Sequence, residues 1–80
     1  MIEGIYEDDG VAEYLQKRGL LKQYIKEKKF LLQDKSSGAR FRKRQPKGSG
    51  LWYFRINKQY RAIGAFKGEL FCVSFIDDHQ

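Results

Sequence analysis

The chain has 80 residues, enough for one domain with a small core. Hydrophobic residues make up 41% and aromatics 15% against a single proline, which excludes a disordered or low-complexity chain. The net charge is +6, and it is unevenly spread. Residues 1–34 carry six Lys/Arg against seven Asp/Glu, whereas residues 35–80 carry ten against three. The excess is densest at Arg40, Arg42, Lys43, Arg44 and Lys47. A basic half of this kind attracts polyanions over long range. No apolar run approaches the ~18 residues that span a bilayer, so no membrane role is expected. The first residues include Glu3, Glu7, Asp8 and Asp9 where a signal peptide carries Lys or Arg. With one cysteine, Cys72, a reducing cytoplasm is the expected location.

In chain order, Ile2–Tyr6 reads as a short strand interrupted by Gly4. Asp8 and Asp9 offer N-caps for a helix over Gly10–Arg18, with Val11, Tyr14 and Leu15 on one face. Gly19 fits the residue after a helix end, with Leu20 beyond it closing a Schellman stop. The alternative is one long helix that carries Gly19 inside at roughly 1 kcal/mol. A second helix is predicted from Leu20 to Gln33. Leu20, Leu21, Tyr24, Ile25, Leu31 and Leu32 recur at three- and four-residue steps and leave Lys22, Lys26 and Lys29 outside. Asp34–Gly38 is loop by composition. The period then changes to two. Ala39–Gln45 reads as a polar, basic strand, and residues 46–50 as a break. Leu51–Asn57 is a strand with Trp52, Phe54 and Ile56 on one face and Tyr53 and Arg55 on the other. A tight connection leads to a strand over Tyr60–Phe66. Lys67-Gly68 reads as a two-residue hairpin turn before the last strand, Glu69–Ile76. The order is β-α-α-β-β-β-β. It predicts one α+β domain over residues 1–80, with two N-terminal helices packed on a twisted antiparallel sheet.

One His, one Cys and no carboxylate at ligand spacing do not make a metal shell, so neither metal nor cofactor is expected. Cys72 sits in an apolar strand and reads as a structural thiol. The residues with chemical promise are cationic and aromatic. Arg55 points away from the Phe54–Ile56 face, and Arg61 opens the next strand across a tight turn. His79 follows the last strand. With Tyr53, Lys43, Arg44 and Lys47 they supply what cleaving a phosphodiester needs: guanidinium groups for the phosphate charge and an imidazole for proton transfer. Each also has a plainer reading. Arg55 and Arg61 fit a solvated sheet face, and His79 an exposed bystander. Tyr53 and Tyr60 fit sheet packing, and Trp52, Phe54, Phe71 and Phe75 fit the core. By residue pattern alone, polyanion binding is better supported than catalysis. One Trp, five Tyr and six Phe exceed what so small a core hides. A partner covering part of the sheet or helix surface, and self-association of the free chain, are therefore expected.

The stretch from Arg44 to Ile63, reading RQPKGSGLWYFRINKQYRAI, resembles the central hairpin of the RelE/ParE toxin superfamily: Gly, a large residue, Trp/Tyr, a short strand ending Arg-Ile, a tight turn, then Tyr-Arg. Phe75-Ile76-Asp77-Asp78-His79 is similar to the family's last strand, and Gln80 follows where many members carry Tyr. The resemblance implies a small α+β toxin neutralised by a cognate antitoxin, alone or in a dimeric or hetero-oligomeric complex. In the RelE-like branch it implies a metal-independent endoribonuclease that cuts messenger RNA on the ribosome. Arg55 and Arg61 then handle the scissile phosphate and His79 transfers a proton. Arg40, Arg42, Lys43, Arg44, Lys47 and Tyr53 are the RNA-binding candidates, with Arg40, Arg42, Lys43 and Lys47 attracting RNA or an acidic antitoxin. The ParE-like branch implies instead an inhibitor of DNA gyrase without nuclease activity. A non-toxic nucleic-acid-binding domain is the third reading.

Overall fold

The structure is a computed structural model and describes residues 2–33, 40–44 and 48–78. The elements are β1 (Gly4–Glu7), α1 (Val11–Lys17), α2 (Leu21–Gln33), β2 (Arg42–Lys43), β3 (Trp52–Arg55), β4 (Tyr60–Lys67) and β5 (Leu70–Asp78). This is the predicted order. The five strands form one sheet in the order β1-β5-β4-β3-β2. β2 to β5 are the expected antiparallel meander. β1 adds a parallel pair at the edge, with Ile5 opposite Phe71 and Glu7 opposite Val73. No hairpin joins β1 to β5, so nothing local forces that pair to be antiparallel.

The helical pair forms because its stop signal is local. Gly19 takes a φ of 69°, which a side chain at that position would resist. Its N–H donates to the Gln16 carbonyl at 3.1 Å, and the Leu20 N–H to the Leu15 carbonyl at 2.8 Å. Both leucines are buried, which completes a Schellman motif and excludes the single long helix. The start of α1 differs from the prediction. Gly10 is its N-cap, and no side chain bonds the free amides. Asp8 is held by the sheet instead: its N–H donates to the Val73 carbonyl at 2.9 Å, while its own carbonyl accepts the Val11 N–H at 3.2 Å. The β4–β5 turn also shifts by one residue. Lys67 pairs with Leu70, so the two turn residues are Gly68 and Glu69.

Val11, Leu15, Leu20, Tyr24 and Leu31 of the helical half bury one face of the sheet, meeting Ile5, Phe54, Ala62, Phe71, Val73 and Ile76. The expected polar strand is only two residues long, and Phe41 beside it is 5% exposed. Its ring lies 4.9 Å from Phe71, 5.2 Å from Phe66 and 5.5 Å from Phe54, at the centre of an aromatic cluster. Three aromatic neighbours outweigh the cations on either side of Phe41 in sequence. Ile25 and Leu32, expected on the core face of α2, lie outside with Phe30 and Tyr6. No helix among the described residues is long and apolar enough to cross a membrane.

Tyr24 ties α2 to the end of β1. Its hydroxyl donates to Glu7 Oε2 at 2.7 Å, and Lys28 Nζ reaches the same oxygen at 2.9 Å. Burial, then the Glu7 carboxylate, raises the Tyr24 phenol above its ordinary range. The folded state therefore holds this proton where the unfolded chain, near pH 10, gives it up. The stabilisation is complete below pH 10 and is lost as pH rises further. Tyr24→Phe is expected to cost about 1–2 kcal/mol at neutral pH, since a hydrogen bond to a charged acceptor is lost. It is also expected to flatten the fall in stability above pH 10. Urea titrations at pH 7 and 11 measure both effects, and an unchanged alkaline slope contradicts the assignment.

Candidate nucleic-acid interface

The sheet face turned away from the helices carries the basic residues. Strand alternation sets this: Phe54 and Ala62 point into the core, so Tyr53, Arg55 and Arg61 point out. Arg55 and Arg61 are direct cross-strand partners, as the tight connection implied. That connection is an Asx turn. Asn57 Oδ1 accepts the Gln59 and Tyr60 amides, each at 2.8 Å, and fixes the register of the two arginines. Successive rows cross the sheet. One runs Arg42, Tyr53, Ile63, Phe75, and the next runs Arg55, Arg61, Asp77.

Arg61 is the most constrained cation. Its Nη2 donates to Asp77 Oδ2 at 2.6 Å, and its guanidinium stacks 4.6 Å from the Tyr53 ring centre. The side chain is 16% exposed. Arg44 lies across the same face, with its guanidinium 5.7 Å from the Phe75 ring. Each of these two arginines has a buried Nε that finds no hydrogen-bond partner among the described residues. A buried N–H without a partner is costly. Turning either guanidinium onto an oxyanion lets the N–H make a bond that the free protein lacks. Arg44 and Arg61 line one cleft of about 200 Å³ together with Lys43 and Tyr53. A second cleft of about 220 Å³ lies between Arg42, Arg55, Tyr53, Arg40 and Glu27. Tyr53 is common to both, so two cationic hollows flank one phenol.

The predicted residues separate into groups. Arg42, Arg44, Arg55, Arg61 and Tyr53 share this face. Arg40 reaches it paired, with Nε at 3.1 Å and Nη2 at 2.6 Å from Glu27 Oε1. It braces the start of β2 against α2 and contributes little free charge. Lys43 pairs with Trp52 across β2–β3, 5.5 Å from its ring centre. Lys47 and His79 lie outside the described residues. Among the described residues Arg42, Arg44 and Arg55 make no ion pair, which leaves them the free charges of the face. Two members of the site went unread in the sequence. Asp77, a carboxylate ending an otherwise apolar strand, is legible in retrospect as a counter-charge. Phe75, assigned to the core, is 42% exposed on the arginine face.

A two-helix layer over a five-stranded sheet with an arginine-lined face defines an α+β protein. No protein-family model matches the sequence, and no curated protein does. Solved structures do. The YoeB/ParE toxin from Agrobacterium tumefaciens superposes with a TM-score of 0.66 at 13% identity, over 96% of this chain and 99% of that one. YafQ from E. coli gives 0.59 at 13%, over 92% and 90%. The E. coli DinJ–YafQ toxin–antitoxin complex gives 0.59 at 13%, over 99% and 94%. At this identity the likeness is one of fold, and it spans both chains nearly end to end. The chain has the fold of the RelE/ParE-like toxins, as the hairpin motif implied.

Proposed function

We propose that the chain is the toxin of a type II toxin–antitoxin pair and a metal-independent endoribonuclease acting on messenger RNA at the ribosome, in the cytoplasm. The observation that carries this reading is the Arg44–Arg61 cleft: two guanidinium groups with unpaired N–H groups beside a phenol, on a protein with a toxin fold. In the reaction the 2′-hydroxyl of the RNA attacks the adjacent phosphorus. Its proton goes to a base, the P–O5′ bond breaks, and the leaving 5′-oxygen takes a proton from an acid. Guanidinium groups stabilise the charge that builds on the non-bridging oxygens. Arg61, oriented by Asp77 and Tyr53, and Arg55 beside it are assigned to the scissile phosphate. Arg42, Arg44 and Lys43 hold the flanking backbone. His79, next in sequence after Asp78, is assigned one of the two proton transfers. The other basic residue of the stretch, Lys47, is assigned to RNA attraction.

The partner that restrains such a toxin is an antitoxin, as in the DinJ–YafQ complex. Here it has apolar side chains to cover: Tyr6, Ile25, Phe30 and Leu32 are all exposed on the helix side or the β1 edge. Induced expression tests the assignment. Growth arrest is expected, with rescue by co-expression of the neighbouring small reading frame. An absence of arrest overturns it. Arrest accompanied by loss of gyrase supercoiling, with RNA intact, replaces it with the gyrase-directed reading.

A further inference from the structure

The arginine face ends at an exposed ring that folding does not require. Phe75 lies in the middle of β5, opposite the fully buried Ile63, yet it is 42% exposed and takes no part in the core cluster. The cause is a β-bulge. Gly64 pairs with Val73 but Ile63 pairs with Phe75, so Ser74 is an extra residue in β5. Without it, strand alternation would place Phe75 on the core side with Phe71 and Val73. With it, Phe75 faces out and Ile76 takes the core position. One side of the Phe75 ring faces the Arg44 guanidinium. Phe75 also lines a shallow cleft of about 260 Å³ with Val11, Tyr14 and Ile76.

A cationic hollow next to an exposed ring matches the alternation of single-stranded RNA, an anionic phosphate followed by a flat apolar base. An acidic protein segment would satisfy the arginines but gives no reason for a ring beside them. We propose that Phe75 is a nucleobase platform: a base next to the flanking phosphate held by Arg44 stacks on its ring, beside the cleft that Phe75 lines with Val11 and Tyr14. This rests on the RNA reading above and adds to it a residue that orients the substrate without touching the scissile bond.

The test is anisotropy binding of a short oligoribonucleotide made uncleavable by a 2′-O-methyl group at the scissile position. Phe75→Leu, which keeps apolar bulk, is expected to weaken binding about tenfold or more, and Phe75→Trp to retain it. Because the ring is exposed, both variants should melt as the wild type does. A scan with abasic nucleotides then locates the partner base. At one position the wild type loses the same factor, and Phe75→Leu loses nothing further. Equal abasic penalties in both proteins, or wild-type affinity in Phe75→Leu, overturn the platform. Loss of antitoxin affinity alone in Phe75→Leu, with RNA binding intact, also overturns it. If the wild type binds no free RNA, the platform falls while the ribosome-dependent reading stands; if Arg61→Ala binds it equally well, the RNA reading falls and the platform with it.

Discussion

Replacement of Arg61 by lysine is expected to lower RNA cleavage by about two orders of magnitude while the protein stays folded. Lysine keeps the charge but loses what the structure uses. The guanidinium is planar, stacks on Tyr53, donates to Asp77 through Nη2 and keeps further N–H groups for a phosphate. An ammonium has no plane to stack and no fork to share between a carboxylate and a phosphate. Arg61→Ala should fall at least as far. Stability should change much less, because Asp77 is 24% exposed and water can solvate it once its partner is gone. A purely structural ion pair predicts the reverse, with stability lost and cleavage intact in Arg61→Lys. Initial cleavage rates and urea titrations on the same preparations separate the two.

Replacement of Gly64 by alanine is expected to be the most damaging small change in the fold. Gly64 is buried in β4 at the bulge. A Cβ there would lie 2.8 Å from the Cys72 carbonyl carbon and 2.9 Å from Val73 Cα, and closer still to the Cys72 carbonyl oxygen. All three are backbone atoms of β5 and cannot rotate away. One methyl group must push β4 and β5 apart along the longest strand pair of the sheet, at a cost of about 3 kcal/mol. For a domain of this size that lowers Tm by roughly 10–20 °C. A thermal melt within a few degrees of the wild type would show that β5 yields more easily than its packing implies. The same substitution disturbs the bulge that turns Phe75 outward, so RNA binding should weaken in whatever fraction folds.

Much of this architecture is legible in the sequence because its signals are local. Gly19 with Leu15 and Leu20 is a complete stop motif within six residues, and the structure reproduces it bond for bond. The alternation from Trp52 to Ile56 places Phe54 inside and Arg55 outside without reference to anything distant. The pairing of Arg55 with Arg61 follows from the shortness of their turn. What the sequence hides is non-local. Period-two reading carries Phe71, Val73 and Phe75 onto one face, and only the pairing of Gly64 with Val73 reveals the extra residue that separates them. Phe41 reads as one apolar residue among cations, and three rings from three other segments draw it inward. Asp8 has the composition of a helix cap but is already bonded to β5 before the helix begins. The parallel β1–β5 pair is non-local in the same sense, joining the first strand to the last.

The uneven charge of the sequence takes a specific form in the fold. Arg40 is taken up by Glu27 and Arg61 is oriented by Asp77, while Arg42, Arg44 and Arg55 stay free among the described residues. The second half of the chain thus separates cations held in ion pairs from cations that make none among the described residues. The exposed aromatic residues divide in a similar way. Phe75, with the half-buried Tyr53, belongs to the arginine face, while Tyr6 sits at the far β1 edge of the sheet and Phe30 on α2. On the proposed function the first pair meets RNA and the second the antitoxin. One protein surface can then be neutralised by a partner bound partly outside the site it blocks.

The central claim, that the Arg44–Arg61 cleft cuts RNA, is tested most directly by mapping 5′ ends on a defined message incubated with ribosomes and purified protein, with no divalent metal added beyond what the ribosomes need. Discrete new 5′-hydroxyl ends are expected with the wild type, and their loss with Arg61→Ala. A message left intact by a wild-type preparation that arrests growth, or the same ends produced equally by Arg61→Ala, would contradict it.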